Sequence, residues 1–151
     1  MKGFDVKAQA GAAEAEDAGS FVHVVDLNDR PMYYTDENGV EQPVGIEVAG
    51  IQSSRYRQIE GKQRRRKMRP KDLNGQRIFE DNVERIAFCT LRWQGFFNGE
   101  NPVELTQNNA YEIYLACPWL LDQLVEVMAD HTRFFTSKSS SSESTSNGSV
   151  G

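Results

Sequence analysis

Apolar residues at helical spacing in the second half of the chain constrain the fold more than any other feature. From about residue 76 to residue 93 they share one face, and charged residues turn away from it. A second such stretch follows Thr106, a suitable N-cap, and a third begins at Pro118, which suits a first helical turn. The apolar positions are Ile78, Phe79, Val83, Ile86, Ala87, Thr90, Leu91, Ala110, Ile113, Tyr114, Leu115, Leu121, Leu124, Val125, Met128 and Phe135. The spacing predicts packed helices over residues 76–135.

Short β-branched and aromatic stretches in residues 21–50 predict strands instead. Three are expected, at residues 21–27, 32–35 and 44–50, with a hairpin turn at residues 36–39 where Asn38 and Gly39 tolerate positive φ. So small a sheet needs other elements packed on it. The predicted fold is therefore α+β, with a small N-terminal antiparallel β-meander followed by a C-terminal bundle of three to four α-helices.

The two ends of the chain differ in composition from its middle. Hydrophobic residues make up 38% of the 151 residues, and the deficit lies at the ends. We expect residues 1–20 to be a mobile acidic leader, in which residues 8–19 could also form a frayed helix. The Ser-rich residues 136–151 are expected to be a disordered tail, with one domain at residues 21–135. No apolar run approaches the roughly 18 residues of a membrane span, and nothing at the N-terminus predicts a secretory signal.

A single basic segment interrupts an otherwise acidic chain. Residues 55–71 hold nine basic residues and one acidic residue, although the net charge of the chain is −5. A helix is predicted from Ser53 or Ser54 to about residue 69, before Pro70. It has three open interpretations: a solvated face, a dock for an acidic protein, or a nucleic-acid contact. The acidic leader folding over this helix is a further variant. Arg64, Arg65 and Arg66 are the candidate contacts for an acidic partner or for self-association.

Nothing in the sequence predicts catalysis. The two histidines and two cysteines are scattered, so a metal site is not expected, and no phosphate-binding loop or hydrolase motif is present. Cys89 pairing with His131 is the one conceivable nucleophilic arrangement, but the apolar neighbours of Cys89 favour a buried, inert thiol. We expect reduced cysteines, no cofactor and no enzymatic activity.

Aromatic residues are unusually dense near the predicted helix ends. Trp93 and Trp119 taken singly are expected in the core. Six large apolar residues are hard to bury together in a core of this size: Phe96, Phe97, Trp119, Leu120, Phe134 and Phe135. Some of them are therefore expected to form an exposed patch that binds a partner, with Phe96, Phe97, Trp119 and Phe134 as the candidate contacts.

The order of several short motifs resembles that of the tail assembly chaperones of tailed bacteriophages and prophages. The motifs follow an acidic leader and a strand pair, and they are Ser53-Ser54-Arg55-Tyr56-Arg57, Glu84-Arg85-Ile86-Ala87, Trp93-x-Gly95, Pro118-Trp119-Leu120 and Asp130 with Arg133-Phe134. Such chaperones bind the long helical tape-measure protein, keep it soluble and help to recruit tail tube subunits.

The resemblance implies a non-enzymatic protein of the host cytoplasm that is absent from the mature virion. Its partners would be the tape-measure protein and the tail tube protein, with self-association as a further possibility; nucleic acid is not the expected partner. Two alternatives stay open at this point. One is a nucleic-acid-binding accessory protein that uses residues 55–71, and the other is a structural virion protein of the tail or of head completion.

Overall fold

The computed structural model describes residues 3–66 and 74–134 and confirms the α+β class. Its helices are α1 Val6–Ala18, α2 Ser54–Arg65, α3 Gly75–Phe88, α4 Gln107–Ala116 and α5 Pro118–Ala129. Its strands are β1 Ser20–His23, β2 Tyr33–Thr35, β3 Glu41–Pro43, β4 Gly45–Val48, β5 Thr90–Gln94, β6 Phe97–Asn98 and β7 Asn101–Pro102. Residues 131–134 form a further helical turn. The predicted tail at residues 136–151 lies outside the described residues, as do Pro70 and Phe135. Helix α2 ends at Arg65, with Arg66 as its C-cap, so the predicted extension to about residue 69 is wrong.

The strands do not form the predicted three-stranded meander. The central sheet has the antiparallel order β1-β4-β5, while β2 pairs with β3 as a separate hairpin. The edge strand β1 places Val22 in the core, and the central strand β4 places Ile46 and Val48 there. By contrast, β2 has no buried residue, so it offers no apolar face to a sheet that packs against helices. The turn at residues 36–39 is confirmed, with Gly39 at φ 76°.

The predicted extension of the first apolar helix to Trp93 is wrong. Helix α3 ends at Phe88, with Cys89 as its C-cap, and the chain continues directly into β5. The backbone N–H of Ala49 donates to the carbonyl of Cys89 at 2.9 Å, and Glu47 in β4 pairs with Arg92. Pairing with β4 therefore overrides the helical spacing that the sequence shows at Thr90 and Leu91.

The leader contains a helix, α1 at residues 6–18, which agrees with the helical alternative for this segment. Asp5 caps this helix, and Ala15 and Glu16 are buried. The Glu16 carboxylate accepts a hydrogen bond from the Gln52 backbone N–H at 2.9 Å. Asp17 accepts hydrogen bonds from the backbone N–H and the hydroxyl of Ser54. The leader thus docks at the first turn of α2.

Predicted helix starts are largely confirmed. Ser53 caps α2, Thr106 caps α4, and Pro118 lies in the first turn of α5. Helix α3 begins at Gly75 behind an Asn74 cap, one residue before the predicted start. The core lies between the sheet and the helices α3 to α5, where the Tyr114 hydroxyl lies 2.8 Å from that of Thr90. Among the described residues, no helix has the length and apolarity to cross a membrane.

Candidate functional site

The four predicted apolar contacts do not form one patch. Phe97 on β6 is 45% exposed, whereas Phe96 and Trp119 are half-buried and Trp119 packs against the core. Phe134 is only 1% exposed, so its prediction as a partner contact is wrong. The helical turn that carries Phe134 is held against α1, because His131 Nδ1 lies 2.8 Å from the buried Glu16 carboxylate.

Trp93 and Phe96 form the fixed centre of an aromatic cluster at the end of β5. Their rings stack with centroids 4.7 Å apart and an interplanar angle of 17°. The Trp93 indole N–H donates to the Val103 carbonyl at 3.0 Å, which satisfies the buried polar end of the side chain as expected for a half-buried Trp. These contacts make the ring positions independent of any partner.

On one side of Trp93 lies a groove of about 570 Å³, which we call the aromatic groove. Its apolar side chains include Tyr34, Trp93, Phe96, Phe97, Pro102 and Val103. Gly95, at φ 82°, allows the Tyr34 ring to pack on its backbone, since an added Cβ would lie 2.6 Å from Tyr34 Cδ1. The Tyr34 and Phe97 rings lie 5.9 Å apart. The β2–β3 and β6–β7 hairpins are thereby brought together around β5.

Three carboxylates surround the aromatic groove, and none of its lining residues is Lys, Arg or His. They belong to Asp36, Glu37 and Glu100. Hydrogen bonds from the backbone of Val40, then from the side chain of Gln42 and the backbone of Asn38, lower the pKa of Asp36. The aromatic groove therefore combines apolar rings with negative charge.

On the other side of Trp93 lies a second groove, of about 610 Å³, which we call the sheet groove. Phe21, 43% exposed, lies over Gly45 on the outer face of the sheet, and Leu91 lines the same groove. Arg92 forms two hydrogen bonds with the Glu47 carboxylate across the strand pair, at 2.6 and 3.1 Å. The two grooves share Trp93, Gln94 and Val103, so they adjoin along β5, and both are lined by apolar and polar side chains.

The three arginines predicted as partner contacts, Arg64, Arg65 and Arg66, have different environments. Arg66 is half-buried and forms two 2.9 Å hydrogen bonds with the Glu84 carboxylate of α3, which lower the Glu84 pKa and make Arg66 a structural residue. Arg64 is exposed and contacts Glu60 of its own helix at 3.0 Å. Arg65 is exposed and forms no ion pair with any described residue. Of these three arginines, Arg64 and Arg65 are exposed and Arg66 is not.

The thiols and imidazoles do not assemble a nucleophilic site. Burial raises the pKa of Cys89 to about 12, so its thiol is protonated at neutral pH. His131 is engaged by Glu16, and His23 Nε2 lies 2.9 Å from the Met32 carbonyl oxygen. Cys117 is half-buried and free. In the part of the chain that the structure describes, no group of three or more His, Cys, Asp or Glu is arranged to hold a metal ion.

Sequence reasoning missed the contributions of Tyr34, Phe21 and Leu91 to these surfaces. The Asn98-Gly99 dipeptide was a usable signal, because Asn-Gly between short apolar stretches is typical of a hairpin, although the two turn residues here are Gly99 and Glu100. It brings Phe97 opposite Pro102 in the β6–β7 pair, with Gly99 at φ 66°. No sequence signal placed Tyr34 beside Gly95, since that contact joins separate hairpins. Comparisons with protein-family models, curated proteins and solved structures found no match.

Proposed function

We propose that this chain is a tail assembly chaperone of a tailed bacteriophage or prophage. It binds apolar helical segments of the tape-measure protein, keeps that protein soluble in the host cytoplasm and helps to recruit tail tube subunits. The observation that supports this proposal best is the pair of adjoining grooves on both sides of Trp93, where the apolar side chains of Phe21 and Phe97 are exposed. A surface of this kind on a small protein favours a binding partner.

The binding surface suits an amphipathic helix. A helix lays residues spaced by three and four positions into an apolar groove. Phe21 and Leu91 offer contacts in the sheet groove, and Phe97 offers an exposed ring in the aromatic groove. The Trp93–Phe96 stack lies between them and is already ordered, so little side-chain freedom is lost on binding.

The exposed basic end of α2 favours a second candidate, a nucleic-acid-binding accessory protein. Lys62, Arg64 and Arg65 all lie in the last turn of α2 and are exposed. Contacts with phosphates through these side chains would weaken steeply as the salt concentration rises. The acidic remainder of the chain opposes such binding, and this is why the chaperone is preferred.

Co-expression with the tape-measure protein of the same phage or prophage tests the proposal. We expect a soluble complex that survives high salt, because apolar contacts are not screened as charges are. Phe21→Ser with Phe97→Ser should abolish the complex. Leu27→Ser with Ile78→Ser removes two exposed apolar side chains outside both grooves and should leave it intact.

Two outcomes would contradict the chaperone proposal. In the first, the wild-type chain fails to retain the tape-measure protein and instead binds nucleic acid in a salt-sensitive way. The double variant Arg64→Ala with Arg65→Ala would then lose that binding. The other is recovery of the chain in purified virions, which would indicate a structural virion protein.

A further inference from the structure

We propose that the aromatic groove binds the basic last turn of α2 from a second copy of this chain. The contact is head-to-tail, because the two surfaces that meet are different parts of the molecule. The inference does not rest on the proposed function, since it requires only the charges and rings of this chain; a second copy and a tape-measure helix would compete for the aromatic groove.

Among the described residues, the basic side chains at the end of α2 find little compensating negative charge. Lys62, Arg64 and Arg65 are exposed on the last turn of α2. Only Arg64 has an ion-pair partner among the described residues, and that partner, Glu60, lies on the same exposed helix. Arg66 fixes this end of α2 against α3 through Glu84, so the other basic side chains project from an anchored position.

The acidic surface is its complement. Asp36, Glu37 and Glu100 line the aromatic groove and form no ion pair with any described residue. The exposed ring of Phe97 and the half-buried ring of Tyr34 lie among them. Lys and Arg can lay their aliphatic stems on such rings, and a cation within about 6 Å of a ring centre is attracted to its face. An acidic groove lined by aromatic rings therefore binds a Lys or Arg side chain better than it binds a purely apolar side chain.

The two surfaces do not satisfy each other within one chain. Helix α2 packs on α3 and α1, whereas the groove is built by the β2–β3 and β6–β7 hairpins. No hydrogen bond or ion pair between described residues joins α2 to the groove. The acids of α1 do not compete either, because Asp17 binds Ser54 at the opposite end of α2. A second copy can satisfy both surfaces, and repetition of such a contact builds rings or open chains.

Sedimentation of the full chain tests the proposal. We expect the average mass of the wild-type chain to rise with concentration in about 0.1 M salt. In about 1 M salt the screening length falls from about 10 Å to about 3 Å, so the association constant should drop by at least about tenfold.

Two variants separate the two surfaces. Glu37→Lys with Glu100→Lys reverses the groove charge, and Arg64→Ala with Arg65→Ala removes charge from α2; each variant alone should be monomeric. An equimolar mixture should form a one-to-one complex and nothing larger, because only one intact groove and one intact helix end remain. All four side chains are exposed, so circular dichroism should show unchanged folding.

A matched control excludes an effect of net charge. Glu112→Lys with Glu126→Lys makes the same charge change at exposed positions outside the groove and should associate like the wild type. The proposal is overturned if the wild type stays monomeric at low salt, if the groove variant still associates, or if the control dissociates equally. A wild-type chain that stays monomeric but still retains the tape-measure protein would reject this inference and leave the chaperone proposal standing.

Discussion

At the scale of single residues, buried and half-buried polar side chains connect elements that are far apart along the chain. Glu16 is 1% exposed and connects α1 to the Gln52 backbone and to His131, so one carboxylate holds the leader, the approach to α2 and the last described turn together. Gln63 contributes similarly between α2 and α3, since its amide nitrogen donates to Glu84 and its oxygen accepts from Arg85. Removing one partner from such an arrangement costs more than the bond itself contributes, because the other is left desolvated.

The Arg66–Glu84 pair makes the stability of the fold depend on pH. Hydrogen bonds from Arg66 lower the pKa of Glu84 below its ordinary value of about 4.3. The pair therefore stabilises the fold above that ordinary value, and the contribution disappears as the pH falls through the lowered pKa. Glu84→Gln should lower the free energy of unfolding by about 1 kcal/mol at pH 7 and by much less near pH 3.

Urea unfolding at the two pH values measures the difference. Glu112→Gln on α4 is the control, because this exposed carboxylate has no ion-pair partner among the described residues and its loss should change stability by less than about 0.5 kcal/mol at either pH. An equal cost of Glu84→Gln at both pH values would show that the pair contributes no net charge interaction.

At the scale of elements, the hairpins around β5 determine the shape of the candidate site. The β6–β7 pair returns the chain so that Val103 accepts the Trp93 indole N–H, and the β2–β3 pair brings Tyr34 against Gly95. Each hairpin is too short to be stable alone. Their order comes from packing on the sheet, so the groove and the sheet are expected to form and unfold together.

Substitution by Ala is expected to change the stability of the fold in opposite directions at two glycines. Gly95 has φ 82°, and an added Cβ would meet Tyr34, so Gly95→Ala should destabilise the fold by about 1–3 kcal/mol and distort the aromatic groove. Gly11 lies inside α1 with nothing within 4 Å of an added Cβ, so Gly11→Ala should stabilise the fold by about 0.5–1 kcal/mol. Thermal unfolding of both variants checks the signs. No effect of Gly11→Ala would indicate that α1 opens before the rest of the fold.

At the scale of the whole molecule, the reactivities of the two thiols measure different unfolding reactions. Cys89 is fully buried between α3 and β5, and burial raises its pKa to about 12, whereas Cys117 is half-buried where α4 meets α5. In a Cys117→Ser variant at neutral pH, a disulfide reagent should react with Cys89 at least about 1,000-fold more slowly than in urea. The Cys89→Ser variant is the comparison, and its remaining thiol should react faster in the native state. Equal native rates would mean that the junction of α3 and β5 opens locally.

The charge distribution also acts at this scale. A net charge of −5 hides a basic segment between acidic ones, and folding places the acids of α1 at the start of α2 and leaves its basic end exposed. This separation underlies the proposed contact between copies. It also makes salt concentration the first variable to control in any binding measurement.

Several features of this protein could be predicted from the sequence because they depend on local chemistry. The caps Ser53 and Thr106, the first-turn Pro118 and the turn at residues 36–39 were predictable because each depends on a few neighbouring backbone groups. The α+β class followed from hydrophobic spacing, and the inertness of Cys89 followed from its apolar neighbours. These features need no information from distant parts of the chain.

Tertiary structure alone decided which segments pair and which side chains stay exposed. Residues 90–94 have helical spacing but become β5, because β4 offers a free edge there. The acidic leader has no apolar face, yet it docks through Glu16, whose partners lie 36 and 115 positions away. Phe134 is buried and Phe97 exposed for the same reason: burial depends on contacts between segments that are distant along the chain, and spacing along one segment does not reveal them.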